Sequence, residues 1–324
     1  AGGEAYRRLV EEVFLPHFGN PFLNALQDSA VCPAEGEQIA VTTDSFVVKP
    51  RFFPGGDIGR LAVCGTVNDL AMSGAIPRYL TVGMIIENGF PLEELERICA
   101  SAARAAAEAG VTVVTGDTKV VESGGADGIY INTAGVGVFP PDCPPLPGKI
   151  REGDCILLSG GLAEHGLAVL AARENLDFDP PLQSDVAPLN HLTAALRRAA
   201  PDVRALRDPT RGGAAVTLNE WAADSGLDIV LEEEALPLKP AARAACELLG
   251  LDPLTIANEG KFLAALPAGQ AEAALAALRP YPLAADAAVI GRVHAGSGQV
   301  FCQNAFGGRR MVAAPQGEQL PRIC

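Results

Sequence analysis

Four aspartates of the first half sit in short polar breaks: Asp28 in "LQDSAV", Asp44 in "VTTDSF", Asp69 in "TVNDLA" and Asp117 in "VTGDTK". Asp44 and Asp117 each follow an apolar run of strand character and should project from strand ends, whereas Asp69 lies in a helical stretch that opens after Gly55-Gly56. Each can be a helix cap or turn residue, the ordinary place of Asp beside Gly, Ser and Thr. As a convergent set they would suit Mg²⁺, which takes hard oxygen ligands and holds substrate phosphates alongside one or two carboxylates. No G-x-x-x-x-G-K-[ST] run is present, so a P-loop is excluded. "FPGGDIGR" can instead present backbone N–H groups to phosphate at a helix start. Lys119, two residues after Asp117, reads either as a phosphate contact or as a surface lysine.

The second half adds three candidates. "LSGGLAEHG" is a strand, a double glycine and a helix start, a pattern shared by tight turns and anion-binding loops; Glu164 and His165 fall there. "RDPTRGGAA", with Asp208, is a capping turn or another anion-facing loop. "IANEGKFLAA" sets Glu259 beside Gly260 at the border of an apolar stretch. A carboxylate there is a surface acid, or a base whose pKa is raised by burial. "GEQLPRIC" carries Cys324 on a stretch without periodicity, where a thiol is a casual cysteine or the working end of an arm.

The elements that must position these residues alternate between strand and helix. "QIAVTTDSFVVKP" reads as two short strands around a turn, "DIGRLAVCGTVNDLAMSG" as a helix, "PRYLTVGMIIE" as a strand and "LEELERICASAARAAAEAG" as a long helix. "VTVVTGDT" reads as a buried strand and "GIYINTAGVGVF" as another. "AGGEAYRRLVEEVF" reads as an amphipathic helix with no signal-peptide core. "FPPDCPPLPGK", with five prolines, opposes both helix and sheet and marks a seam. Beyond it the alternation restarts, with strands at "GDCILLSGG" and "LDIVLEE" and helices at "LAEHGLAVLAAR", "APLNHLTAALRRAA", "GAAVTLNEWAADSG" and "LKPAARAACELLG". The expected organisation is α/β throughout (α+β in the looser sense): a first domain at 1–145, a second at 146–312 and a loose tail at 313–324.

The chain's 324 residues carry a formal charge of −14 and no Lys/Arg run, which disfavours nucleic acid and anionic membrane surfaces. No apolar run approaches the ~20 residues that span a bilayer. Eight scattered cysteines form no C-x-x-C pair and fit a reducing, cytoplasmic setting.

Taken together, "TTDSFVV", "FFPGGDIGRLAVCGTVNDLAMSGA", "VTGDTKVV", "DPTRGG", "NEGK" and "PRIC" resemble the hydrogenase maturation HypE family, within the aminoimidazole ribonucleotide synthetase-like ATP-binding enzymes. The long Gly55–Ala75 stretch carries the superfamily resemblance and "PRIC" the family's. The family's opening glycine motif is reduced here to "AGGEA", and its Gly-Asp-His-Gly stands as Ala163-Glu164-His165-Gly166. The resemblance implies a two-domain fold whose first domain binds ATP and supplies a dimer-forming sheet. It implies an ATP-dependent carbamoyl dehydratase that turns an S-carboxamide on Cys324 into a thiocyanate, the source of the cyanide ligands of nickel–iron hydrogenases. By the same resemblance Cys324, Glu259 and Lys119 are catalytic, and Asp44, Gly55, Gly56, Asn68, Asp69, Asp117, Lys119 and Asp208 hold the nucleotide. Asp28, Asp44, Asp69 and Asp117 would hold Mg²⁺. The partners implied are a HypF-type carbamoyltransferase, a HypC–HypD complex and a second copy of the chain. A selenophosphate synthetase-like or thiamine-phosphate kinase-like enzyme is the alternative within the superfamily; the former should carry its reactive Cys near the N-terminus, and the first here is Cys32. A nucleotide-binding scaffold without turnover is the alternative outside catalysis.

Overall fold

The computed structural model describes residues 8, 10–34, 37–315 and 320. Two sheets organise them. The first joins β1 (Ala30–Ala34), β2 (Glu37–Phe46), β5 (Ile76–Glu87), β6 (Thr112–Val121) and β7 (Ile129–Val138) in the order β1-β2-β7-β5-β6; only β5 and β6 run parallel. A two-residue hairpin, β3 (Phe52–Phe53) with β4 (Gly56–Asp57), leads into α1 (Ile58–Met72), and α2 (Leu92–Ala109) connects β5 to β6.

Helix α1 starts where it does because the Asp57 carboxylate accepts from the N–H groups of Gly59 and Arg60 at 2.8 and 3.1 Å, occupying donors that a helix start leaves orphaned. Almost its whole circumference is buried, since it lies between the sheet, α2 and the second half of the chain. In contrast α2 buries one stripe, Ile98, Ser101, Ala105 and Ala109, and ends on Gly110 in the left-handed region at φ 70°. Along β2, Ala40, Thr42, Asp44 and Phe46 face inward while the residues between them are exposed.

The second sheet uses β8 (Asp154–Leu158), β9 (Ala205–Arg207), β10 (Leu227–Glu232), β11 (Leu263–Pro267), β12 (Ala288–Ala295), β13 (Val300–Gln303) and β14 (Arg309–Met311), in the order β14-β13-β10-β12-β8-β11-β9. Its central strands are covered on both faces. Ile156 and Leu158 of β8 join one core with α3 (Glu164–Glu174), α5 (Gly213–Ser225) and α6 (Pro240–Leu249). Cys155 and Leu157 join the opposite core with α4 (Asn190–Ala199) and α7 (Ala271–Leu278). Continuous apolar runs such as "CILL" are what double coverage requires.

The two halves interlock. Val169, Val186 and Ala257 of the second half are members of the first half's core. A Cβ on Gly55 would stand 2.6 Å from the Ser184 carbonyl oxygen, and one on Gly56 would stand 2.6 Å from Val186 Cγ1. Arg60 Nε donates to the Val186 carbonyl at 2.9 Å.

Three expectations change. "QIAVTTDSFVVKP" contains one continuous strand, because the Thr-Thr-Asp segment keeps its ladder with β7 (Thr43 opposite Ala134, Asp44 opposite Thr133). "VTVVTGDT" is a strand but not a buried one: β6 is the sheet's edge, and nearly all of it is exposed. The N-terminal segment is a π-helical turn (Val10–Phe14) followed by a single α-turn (Leu15–Phe18), with Phe14 and Phe18 exposed. The expected tail falls largely outside the described residues. No helix among the described residues is long and apolar enough to cross a membrane.

A Cβ on Gly59 would stand 2.3 Å from the Ile98 carbonyl oxygen, so α1 and α2 touch backbone to backbone there. Gly59→Ala should force the helices apart and cost about 1–3 kcal/mol, read from the urea midpoint.

Candidate functional site

The inward face of β2 and the adjoining face of α1 meet at Gly65, whose hydrogen lies against the Phe46 ring and near Asp44. That close approach brings Asp44 and Asp69 together. The Thr42 hydroxyl, two residues before Asp44 on the same strand face, stands 2.8 Å from Asp69 Oδ2 and 3.0 Å from the Asp28 carbonyl oxygen. From the second half, β9 ends at Arg207, whose Nε lies 2.7 Å from Asp28 Oδ1 and whose other arm reaches Glu220 at 3.3 Å. Asp208 follows directly. Asp28, Asp69 and Asp208 thus offer carboxylate oxygens within 4.8 Å of one another.

Burial and mutual repulsion raise all of these acids. Asp208 is pushed to about 8, first by burial, then by the charges of Asp28 and Asp44. Asp28 rises to about 6 by burial, against the pull of Arg207. Asp69 lies well above the ordinary carboxylate range through burial and then the charges of Asp44, Asp208 and Asp28. Asp44 is raised by burial and held back by Arg211. A cluster of oxygen donors that cannot all ionise unaided fits a hard divalent cation.

Glu259 borders this cluster. It is buried and its Oε1 has no hydrogen-bond partner. Burial raises its pKa well above the ordinary value; the charges of Asp208, Asp185 and Asp44 add to this, and Arg211 opposes it. The sequence pointed to Glu259 by its Gly neighbour; Arg207, Arg211, Glu220 and Thr42 were not singled out. Arg207 and Arg211 flank the Asp-Pro-Thr run and carried a signal, whereas nothing local distinguishes Thr42.

Other candidates lie elsewhere or are otherwise engaged. Asp117 and Lys119 are on exposed β6, opposite Gly83 and Ile85 of β5, and Asp117 is not in the three-acid group. The Asn68 side chain is committed to three backbone groups, donating to the Ala187 and Glu259 carbonyls and accepting from the Leu189 N–H. Gly55 and Gly56 pack closely against Ser184 and Val186, and the Asp57 carboxylate accepts from the Gly59 and Arg60 N–H groups at the start of α1. Glu164 pairs with Lys239 and Lys261, and fully buried His165 shares a 2.8 Å hydrogen bond between Nδ1 and Ser184 Oγ. Cys324 lies outside the described residues. Leu320 is described: it packs against the cores of both halves, and its Cδ1 is 3.2 Å from where a Gly166 Cβ would stand, beside Ile256 and Ala257.

The family model for AIR synthase related protein, N-terminal domain, matches residues 26–139, and the corresponding C-terminal domain model matches 151–303. Carbamoyl dehydratase HypE of Rhizobium leguminosarum bv. viciae is 50% identical over 327 residues, covering 100% of this chain and 93% of the relative. A crystal structure of a HypE–HypF complex superposes with a TM-score of 0.90 at 48% identity, covering 95% of this chain and 99% of that one. HypE crystallised with ATP gives a TM-score of 0.85 at 48% identity, covering 100% of this chain and 98% of that one.

A carboxyl whose folded pKa exceeds its unfolded value of about 4 binds more protons in the folded state, so its support for the fold is lost as pH rises. For Asp208 that window runs from the usual carboxylate value up to about 8. In chelator, Asp208→Asn should therefore become increasingly more stable than the parent across this window, and added Mg²⁺ should reverse the order. Urea midpoints measured against pH check both.

Proposed function

The chain belongs to the HypE family of AIR synthase related proteins, carbamoyl dehydratases of hydrogenase maturation, and from that premise we propose that it converts an S-carboxamide on Cys324 into a thiocyanate at the expense of ATP. The observation that carries the reading is the buried Glu259 carboxyl beside the three-acid cluster, with its Oε1 left without a hydrogen-bond partner. In this reading residues 1–145 bind ATP and metal and pair two copies, 146–312 complete the site, and 313–324 bring the sulfur.

An amide oxygen leaves badly as hydroxide. It leaves well as phosphate once it has taken the γ-phosphoryl group of ATP and released ADP. The carbon–oxygen bond then breaks with its electron pair on phosphate, and both nitrogen protons are lost. S–C(=O)–NH₂ and ATP thus become S–C≡N, ADP and phosphate, with the amide oxygen in the phosphate. Asp28, Asp69 and Asp208, with Asp44 alongside, would hold Mg²⁺, which supplies charge neutralisation for the triphosphate. With Asp208 and Asp44 so screened, burial and the Asp185 charge remain to hold the Glu259 proton, against the pull of Arg211. Its ionised form accepts an N–H proton of the amide as phosphate departs.

Leu320 supports delivery of the sulfur. It packs against the core cluster that includes Ala257, two residues before Glu259, and the four residues from Leu320 to Cys324 span at most ~13 Å. The thiol is loaded by a HypF-type carbamoyltransferase and unloaded onto a HypC–HypD complex in the cytoplasm; the solved HypE–HypF complex supports the first partner.

Asp117 and Lys119 enter through pairing of two copies. A lysine that binds phosphate oxygens needs cover, and β6 has little within one chain. Tyr79, Ile85, Val113, Val114 and Val120 are exposed on the same two strands, an apolar surface that a second copy would bury.

The central experiment incubates the protein with a HypF-type transferase, carbamoyl phosphate and Mg-ATP, and follows the Cys324 peptide by mass spectrometry. A carbamoyl adduct should appear and then lose one water. Cys324→Ala should keep ATP binding and form neither product. Glu259→Gln should accumulate the adduct, with dehydration slowed by about 10²–10⁴-fold; dehydration at the parent rate would remove Glu259 from the mechanism. Val114→Lys should shift the dimer to monomer in light scattering and reduce turnover, and a dimer of unchanged stability would move the interface elsewhere.

A further inference from the structure

Glu259 stands in a loop between the turn Pro253–Thr255 and β11, where no helix or ladder fixes its direction. Its peptide groups are nevertheless bound on both sides. The Glu259 N–H donates to Asp185 Oδ1 at 3.1 Å, and the Gly260 N–H donates to Asp185 Oδ2 at 3.2 Å. The Glu259 carbonyl accepts from the Asn68 amide at 3.3 Å and from the Ala187 N–H at 3.4 Å. Asn68 also ties Ala187 and Leu189 to α1, so the strap carrying Asp185 is itself fixed. A Cβ on Gly260 would stand 1.8 Å from the Asp185 carbonyl oxygen, so only glycine lets the strap lie this close.

The Asp185 side chain is 1% exposed. A carboxylate this deep is tolerable only when paired and hydrogen-bonded. Lys261 Nζ lies 3.5 Å from Asp185 Oδ2 and 3.4 Å from Glu164 Oε2, and Lys239 reaches Glu164 Oε1 at 2.6 Å. Two acids and two lysines balance one another, so this network needs no ligand. What it grips is a two-residue turn whose one carboxyl oxygen, Glu259 Oε1, is buried without a partner.

We propose that Asp185 is a positioning residue for the dehydration step: by binding the two successive N–H groups of Glu259 and Gly260 it fixes the direction in which the Glu259 carboxyl points. The proposal rests on the reading of Glu259 as the proton acceptor. Asp185 acts on Glu259 through that turn, and its charge also adds to the rise of Glu259 above the ordinary value.

Asp185→Asn keeps the shape of the side chain but replaces one acceptor with a donor facing N–H groups and Lys261. Single-turnover dehydration of the S-carbamoylated protein with Mg-ATP should fall by about 10- to 100-fold, the scale of an ångström-level misplacement. ATP affinity and carbamoyl acceptance should stay unchanged. Hydrogen exchange at the Glu259 and Gly260 amides, followed by NMR, should quicken while the rest of the core stays protected. In the Glu259→Gln background Asp185→Asn should add little, because nothing remains for it to orient. A further loss of the same size there, or a parent-like rate in Asp185→Asn despite faster exchange at the two amides, would overturn the proposal. So would unchanged exchange. If Glu259→Gln alone dehydrates normally, the reading of the base fails, and the exchange measurement still decides whether Asp185 holds the turn. Should Asp185→Asn not fold, Asp185→Ser, which also removes the buried charge, takes the same measurements.

Discussion

Three carboxyl groups each place an oxygen within 4.8 Å of the others, and the rest of the structure is arranged around that proximity. Two ionised carboxylates at such a separation repel by a few kcal/mol even at an effective dielectric of ~20. The protein alone has two ways out, and it uses both. Asp208 and Asp69 keep their protons far above the ordinary carboxylate range, and Arg207 reaches across from the second half to hold Asp28. The third way, a cation, would relieve all of them together. The acids are therefore poised between protonation and metal binding, which couples the site's charge to whatever occupies it.

Holding such a cluster needs a rigid frame, and interlocking of the two halves supplies it. Helix α1 is buried nearly all round. It carries Asp69 toward the pocket and, one residue earlier, Asn68 toward the loops of the second half. The strap around Ser184–Leu189 lies on Gly55, Gly56 and Gly260 at distances no larger residue permits. Gly55, Gly56, Gly260 and Asn68 thus fix the segments that carry Asp185 and Glu259. The same seam holds Leu320, so the approach of the C-terminal segment and the position of Glu259 depend on one set of packed surfaces.

Much of this was legible in the sequence. The helical stretch from Ile58 to Met72, the long amphipathic helix at Leu92–Ala109 and the strands that carry Asp44 and Asp117 follow from apolar periodicity and from Gly and Pro punctuation. The Pro-rich seam and the restart of strand–helix alternation beyond it were visible for the same reason. Other features were not. "VTVVTGDT" is as apolar as a core strand, and only its place at the end of the order β1-β2-β7-β5-β6 leaves it exposed. Thr42 became a site residue only when β2 and α1 were packed together at Gly65.

The sequence by itself determined the residue types and local elements of this protein: which stretches are helix or strand, and which motifs resemble a family; it placed Asp44 and Asp117 at strand ends, whereas both sit within paired strands. Those properties depend on neighbours a few positions apart, and a linear pattern records them directly. Only the tertiary structure decided that Asp208, and not Asp117, joins Asp28 and Asp69, that Asn68 binds backbone, and that Asp185 grips the turn bearing Glu259. Convergence, burial and the pKa shifts that follow depend on distances between residues tens to hundreds of positions apart, and those distances exist only once the chain has folded.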